Sequence, residues 1–388
     1  MSQPSAAKAT EVRQPGLAEL AAVFFRIGVL GFGGPAAHIA MMEDEVVNRR
    51  RWISRQDFLD LVGATNLIPG PNSTEMAIHL GLRLGGWTGM LASGACFILP
   101  AVAMTGLLAW FYVAYGDLPN VEPLLRGIKP AVIAVIALAV WRFVPKAIDR
   151  VSLGILAALL IALSFLGWDE ALLIIGGGLA GMLWLAGLAP FLKGVKSLPL
   201  LLILPLLQAA PGTQASSPSL QGLALFFLKI GCILFGSGYV LVAYLEGELV
   251  REKAWLTSQQ LIDAIAVGQF TPGPVLTTST FVGYLIQGWQ GALVATVAIF
   301  TPSFIFVLVL SRFVPRLRES RWAGAFLDAV NASAVALMAA VAVNLGIQVV
   351  TGWPPALITA LSLLLLYRFK LNSGLVVVLG GLLGWLLM

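Results

Sequence analysis

Charge is what this chain has least of. Only 11% of its 388 residues are Asp, Glu, Lys or Arg, against roughly 25% in ordinary soluble domains. Hydrophobic residues make up 59% and the mean hydropathy is +0.90, more apolar surface than a soluble fold of this length can bury. A soluble enzyme is excluded. So is a nucleic-acid partner, despite the net charge of +5: the bases sit in short stretches between apolar runs, as a bilayer requires. Cysteine is nearly absent. Cys96 and Cys232 lie in apolar stretches and predict neither a disulfide nor a metal site. The two histidines, His38 and His79, have no Cys or acidic cluster beside them, so no metal is expected. A Walker-type phosphate loop is missing, which argues against direct ATP coupling, and no cofactor is implied. The first 16 residues are polar, so no signal peptide is read there.

What the chain does have, it has twice. Phe24-Phe25-Arg26-Ile27-Gly28, Gly31-Phe32-Gly33-Gly34, Glu43, Glu45 and Trp52 return as Phe227-Leu228-Lys229-Ile230-Gly231, Phe235-Gly236-Ser237-Gly238, Glu246, Glu248 and Trp255. Pro69-Gly70-Pro71 returns as Pro272-Gly273-Pro274. All share one offset, 203 (229 − 26). After a one-residue slip, Gly86-Trp87 and Pro100 return as Gly288-Trp289 and Pro302. Duplication in so apolar a chain marks a secondary transporter with its substrate site where the repeats meet.

The predicted fold is therefore an all-α polytopic membrane protein of two homologous repeats. Residues 1–16 form a cytoplasmic tail, 17–190 the first repeat, 191–219 an apolar segment and linker, and 220–388 the second repeat. Each repeat holds six apolar runs, most near the ~20 residues a span needs. Arg142, Lys146 and Arg150 follow the fourth run of the first repeat, and Asp169 and Glu170 follow the fifth. In the second repeat the sense reverses: Arg312, Arg316, Arg318 and Arg321 follow the third run, Arg368 and Lys370 the fifth. Equivalent loops thus face opposite sides, and the repeats read as inverted. An odd crossing between them is then required, which the run Leu198–Leu207 could supply. Arg49-Arg50-Arg51 and Arg83 resist this scheme, because simple alternation puts them on opposite faces. Either nearby acids blunt the first cluster, or the first two runs are re-entrant. Thirteen crossings, and nine crossings with four re-entrant hairpins, both fit.

The Pro-Gly-Pro segments cannot be unbroken helix, since proline lacks an N–H and clashes with the preceding turn. Irregular backbone at bilayer depth survives only inside protein or beside a wet cavity. A half-helix beginning after such a break points its positive dipole end at whatever sits there. Pro69, Gly70, Asn72, Ser73 and Thr74, with Pro272, Gly273, Thr277 and Thr278, are therefore candidate anion-binding residues; the alternative is a packed proline kink. Gly33 and Gly34 mark a second break, suited to a ligand's approach or to close helix packing. Arg26 and Lys229 lie inside apolar runs at equivalent positions, where an unpaired cation costs at least ~2.5–3.5 kcal/mol. They either share an oxyanion near the axis or snorkel to the interface. Glu43 and Glu246, like Glu45 and Glu248, are salt-bridge partners or gating carboxylates. Glu75 is a proton carrier or a partner for Arg83, and His38 and His79 could titrate near neutral pH.

At these motifs the chain resembles the chromate ion transporter family in its long, two-domain form. The resemblance rests on Phe32-Gly33-Gly34-Pro35, the acidic-then-basic stretch ending at Trp52, Pro69-Gly70-Pro71, Gly85-Gly86-Trp87-Thr88-Gly89 and their second-half copies. It implies chromate efflux driven by the proton gradient or membrane potential, chromate resistance, and a bacterial inner-membrane location. Sulfate is a further implied substrate, and a homodimer is left open. The second half departs from the first: Gly-Ser-Gly replaces Gly-Gly-Pro, and Thr278 replaces Glu75. Chromate and sulfate are tetrahedral dianions that N–H groups, hydroxyls and one or two cations bind well. The rival class, a membrane enzyme, needs a catalytic cluster that the chain does not offer.

Overall fold

The computed structural model describes residues 14–116, 118, 121–188, 217–235, 238–310 and 320–388. Leu198–Leu207, Gly236, Ser237, Arg312, Arg316, Arg318 and the first 13 residues of the tail lie outside the described residues. Every regular element among the described residues is helical.

Two kinds of break shape each repeat. α1 (Leu17–Leu30) ends at Gly31, and Gly33 and Gly34 follow at φ of 110° and 79°, left-handed angles that glycine adopts without steric cost. Pro35 then opens α2 (Pro35–Glu43), which widens into a π-helical turn at Asp44–Arg49. The two arms run back to back: Arg50 lies 2.7 Å from Glu19 and Arg26 3.6 Å from Glu45. This is a hairpin that enters and leaves by one face, here the first face. Ser54 caps α3 (Arg55–Thr65), which runs inward to the first Pro-Gly-Pro break.

Beyond it, α4 (Asn72–Tyr115) holds 44 residues. Straight, it would extend ~66 Å, about twice a bilayer core. Instead it reverses at Gly86 (φ 60°, ψ −147°). The Ser93 hydroxyl donates to the Ala77 carbonyl at 2.8 Å, across sixteen residues that a straight helix would separate by ~24 Å. The short arm, 72–85, returns to the first face, where Leu20 packs on Gly85 and Gly89. Only the long arm, 87–115, crosses to the second face. α5 (Glu122–Ala147), α6 (Val151–Phe165) and α7 (Glu170–Met182, then a π turn at Leu183–Leu188) cross in turn.

The second repeat copies this path. α8 (Leu220–Ile233) pairs with a return arm made of Gly238–Val240, α9 (Leu241–Tyr244) and a π turn at Leu245–Glu252. α10 (Ser258–Phe270), started by a Thr257/Gln260 capping box, leads to the second Pro-Gly-Pro break. α11 (Thr278–Leu310) reverses at Gln287-Gly288, and Thr280 meets Thr296 at 2.8 Å across the fold-back. α12 (Arg321–Val349), α13 (Trp353–Arg368) and α14 (Ser373–Leu387) complete it.

Contacts between the repeats fix their relative sense. Gly127, near the second-face end of α5, packs on Gly380 and Gly384 at the end of α14. Arg251, at the mouth of the second repeat's hairpin, pairs with Glu170 at the start of α7. At the opposite end, Arg150 lies 3.1 Å from Asp328, near the start of α12. The second repeat's hairpins therefore open at the second face, and the repeats are inverted. Among the described residues, four segments in each repeat run from face to face, and four hairpins in all dip in and return. Asn72–Tyr115, Glu122–Ala147, Val275–Val309 and Arg321–Val349 are long and apolar enough to cross a membrane; α6, α7, α13 and α14 are shorter. α7 ends toward the first face and α8 begins at the second.

This path resolves the positive clusters. Because the α3–α4 pair is re-entrant, Arg49–Arg51 and Arg83 share the first face with Arg142, Lys146, Arg150, Arg321, Arg368 and Lys370. The second face carries Arg126, Arg251 and Lys253 among the described residues. Packing follows the same logic: small residues bring α5 and α14 into close approach, and one core cluster runs through both repeats.

Candidate functional site

The breaks of the two repeats dock on one another. The Gly70 N–H donates to the Leu234 carbonyl at 2.7 Å, and the Gly273 N–H donates to the Gly31 carbonyl at 2.8 Å. Leu234 and Gly31 are repeat equivalents, as are Gly273 and Gly70. Each Pro-Gly-Pro break is thus held by the hairpin tip of the other repeat. Gly70 and Gly273 have φ of 140° and 85°, and neither has room for a Cβ. At Gly70 the space is filled by the Glu75 carboxyl and the Ser303 hydroxyl, and at Gly273 a Cβ would lie 2.9 Å from that of Ala101.

A cavity of about 500 Å³ reaches the first break. Its outer part is lined by Phe143, Lys146 and Ala147 at the first-face end of α5. Deeper, Asn66, Ile68 and Asn72 come from the break, Val240 from the opposing hairpin, and Asn331 and Met338 from α12. Among the described residues the polar lining is one ammonium and three carboxamides, with no carboxylate. Asn72 opens the short arm of α4 and donates to the Asn66 side chain at 2.7 Å. The positive end of a fourteen-residue arm therefore points into a cavity already carrying a cation, which suits an anion.

Behind this lining lies a polar group of another kind. Ser73, Thr74, Glu75 and His79 are buried. Thr74 Oγ1, both Glu75 oxygens, His79 Nε2 and Ser303 Oγ have no hydrogen-bond partner among the described residues. Glu75 does not pair with Arg83. The second repeat has no counterpart, since Thr278 donates to the Val275 carbonyl at 2.8 Å.

Other residues singled out from the sequence sit elsewhere. Arg26 is turned outward, its side chain 60% exposed and beside Glu45. Lys229 is hydrogen-bonded to Glu248, the repeat equivalent of Glu45. Each cation faces a carboxylate of its own hairpin, and neither lines the cavity. Glu43 lies 3.4 Å from Arg55. Glu246 is buried between Arg251 at 2.7 Å and the Asn344 amide at 2.8 Å. His38 Nε2 lies 2.8 Å from the Gly31 carbonyl that also receives the Gly273 N–H, so it braces the docked break. Thr277 spends its hydroxyl proton on the Pro274 carbonyl at 2.8 Å, which leaves the second break poorer in free donors. Gly33 and Gly34 serve the turn of the first hairpin. Among the described residues no cluster of His, Cys, Asp or Glu could hold a metal.

Sequence reasoning missed Asn66 and Asn331, and read Lys146 only as a loop charge. Asn66 had a local signal, standing three residues before Pro69. Lys146 and Asn331 had none, because the inverted packing of α5 against α12 is what brings them to the break.

A family model described as chromate transporter matches residues 18–182 and 222–385. The chain is 32% identical to the chromate transport protein of Cupriavidus metallidurans, over 94% of this chain and 91% of that one. It is 32% identical to the chromate transport protein of Pseudomonas aeruginosa, over 95% and 92%. It is 30% identical to the probable chromate transport protein of Synechococcus elongatus, over 95% of both. No solved structure matches the chain.

Proposed function

The chain belongs to the chromate transporter family, and from that premise we propose that it exports chromate across a bacterial inner membrane by secondary transport, conferring chromate resistance. The observation that carries this reading is the cavity at the first Pro-Gly-Pro break. It is large enough for a tetrahedral dianion and offers Lys146 with the amides of Asn66, Asn72 and Asn331. The base-rich first face is the cytoplasmic one under the positive-inside rule, so the cavity opens toward the compartment from which chromate must be cleared.

Chromate enters past Lys146, exchanges water for the three amides, and comes to rest at the α4 N-terminus. The docked breaks close the path beyond. Opening it means separating Gly70 from Leu234 and Gly273 from Gly31, and inverted repeats let one pair loosen as the other tightens. Glu75 supplies the coupling step. A carboxylate ionised without a partner in so dry a place costs several kcal/mol, so proton gain and loss accompany its exposure, and the carboxyl lies against Gly70 itself. His38, on the Gly31 carbonyl, lines the same junction, and His79 is buried one turn along from Glu75. Arg26 and Lys229 hold the hairpin arms together through Glu45 and Glu248.

The test is radiolabelled chromate uptake into inverted vesicles, energised or not, with sulfate as competitor. Energised uptake that sulfate reduces is the expected result. Glu75→Gln should lose the energised component while keeping chromate–chromate exchange. Uptake of sulfate or another anion without chromate would overturn the substrate, and no flux of any anion would overturn the transport reading.

A further inference from the structure

α5 carries a second lysine, Lys129, about 26 Å along the helix from Lys146 at 1.5 Å per residue. It faces a different cavity. That cavity, about 600 Å³, opens at the second face between the repeats. Tyr112, Glu122, Arg126 and Lys129 line it from the first repeat, and Gln259, Gln260 and Asp263 from the second; Arg126 is already paired with Glu122 at 2.5 Å. Lys129 and Asp263 are almost wholly buried, their side chains 9% and 2% exposed, and lie 3.6 Å apart. That is looser than the ~2.7–2.9 Å of a direct charge-assisted bond. Asp263 Oδ2 accepts from the Tyr112 hydroxyl at 2.9 Å, while Oδ1 is buried with no partner among the described residues. A lysine loosely held by its carboxylate thus fronts a cavity furnished with two amides, while the one guanidinium there is paired with Glu122.

The repeat relation points the same way. Lys129 and Asn331 are equivalent under the 202-residue offset (331 − 129) that relates Pro302 to Pro100. Asn331 lines the first-face cavity and Lys129 the second-face cavity. One position, used twice in inverted repeats, contacts each of the two cavities.

We propose that the second-face cavity is a release station for a tetrahedral divalent oxyanion, bound by Lys129 with Gln259 and Gln260, and that Asp263 is a tethered competitor that displaces it. A release site must hold the anion well enough to draw it through and weakly enough to let it go. A carboxylate fixed beside the same ammonium acts at a high effective concentration, and so returns Lys129 to its resting pair as the anion departs. This inference rests on the export reading above, because it assigns the second face to release.

The experiment uses inverted vesicles, whose lumen is bathed by the second face, loaded with graded unlabelled chromate. The readout is the luminal concentration that halves initial energised uptake of labelled chromate. Asp263→Asn should lower that concentration at least tenfold, because the competitor is gone and release stalls. The double variant Lys129→Gln with Asp263→Asn should raise it at least tenfold above wild type. It leaves no unpaired buried charge from this pair and needs no rescue to fold, so it decides alone if the single variant does not reach the membrane. A purely structural pair would alter uptake from the first face and leave luminal inhibition unchanged. Values within twofold of wild type in both variants would overturn the release station. Wild-type vesicles that take up no chromate would overturn the export reading, and this inference with it.

Discussion

Lys146 illustrates how a side chain gains its role from company that sequence distance conceals. At the end of α5 it reads as one more base in a positive loop. In the fold it faces Asn66, Asn72 and Asn331, contributed by two other elements. A hydrogen bond to a charged group contributes about 1.5–3 kcal/mol, which corresponds to an affinity change of roughly tenfold or more. Lys146→Gln should therefore raise the half-saturating chromate concentration from the first face about tenfold, with membrane yield unchanged. Lys146→Arg should recover most of it, since a guanidinium also binds oxyanions. A normal half-saturation in Lys146→Gln would move the site elsewhere. Arg26 teaches the converse. Its place within an apolar run signalled a partner or a pathway, and the side chain turns outward to Glu45, nineteen residues on in the same hairpin, whose duplication at Glu248 was visible in the sequence.

At the level of elements, the breaks were legible because their chemistry is local. Proline and glycine dictate where a helix must stop, and the same spacing found twice removes chance. What they dock against was not legible. The two inter-repeat hydrogen bonds join backbone groups, which leave no mark on residue identity except that glycine is required. Gly273 makes this testable. Its φ of 85° lies where residues with a β-carbon are rarely found, and an added Cβ would sit 2.9 Å from that of Ala101. Left-handed backbone costs an L-residue roughly 1–2 kcal/mol, and the clash adds to that. Gly273→Ala should thus reach the membrane in reduced amount and transport at no more than a tenth of the wild-type rate per molecule. Gly324→Ala, with nothing within 4 Å, should match wild type in both. Full transport by Gly273→Ala would show that the docked breaks play no part in the cycle. The reversals at Gly86 and Gly288 were offered by the sequence only as one of two alternatives. Both fall at gaps between the second and third apolar runs, and Arg83 marks the first gap, but run boundaries alone do not say whether the second run crosses or returns.

For the molecule as a whole, inversion follows from which ends touch. If repeat two had the sense of repeat one, Gly127 could not meet Gly384 while Arg150 meets Asp328. The charge distribution agrees only when the hairpins are re-entrant, because Arg51 and Arg83 then share a face although the α3–α4 pair lies between them. Two independent constraints, packing and loop charge, thus converge on one topology, and that topology puts the two lysines of α5 at cavities of opposite sidedness. Single cysteines introduced by Arg51→Cys, Arg83→Cys and Lys253→Cys, in a background with Cys96→Ser and Cys232→Ser, measure this directly. A membrane-impermeant thiol reagent should label the first two in inverted vesicles and the third in right-side-out vesicles. Labelling of Arg51→Cys and Arg83→Cys from opposite sides would restore simple alternation and remove the re-entrant pair. With it would go the placement of the Pro-Gly-Pro break midway between the faces, where a transported anion can be approached from either side in turn.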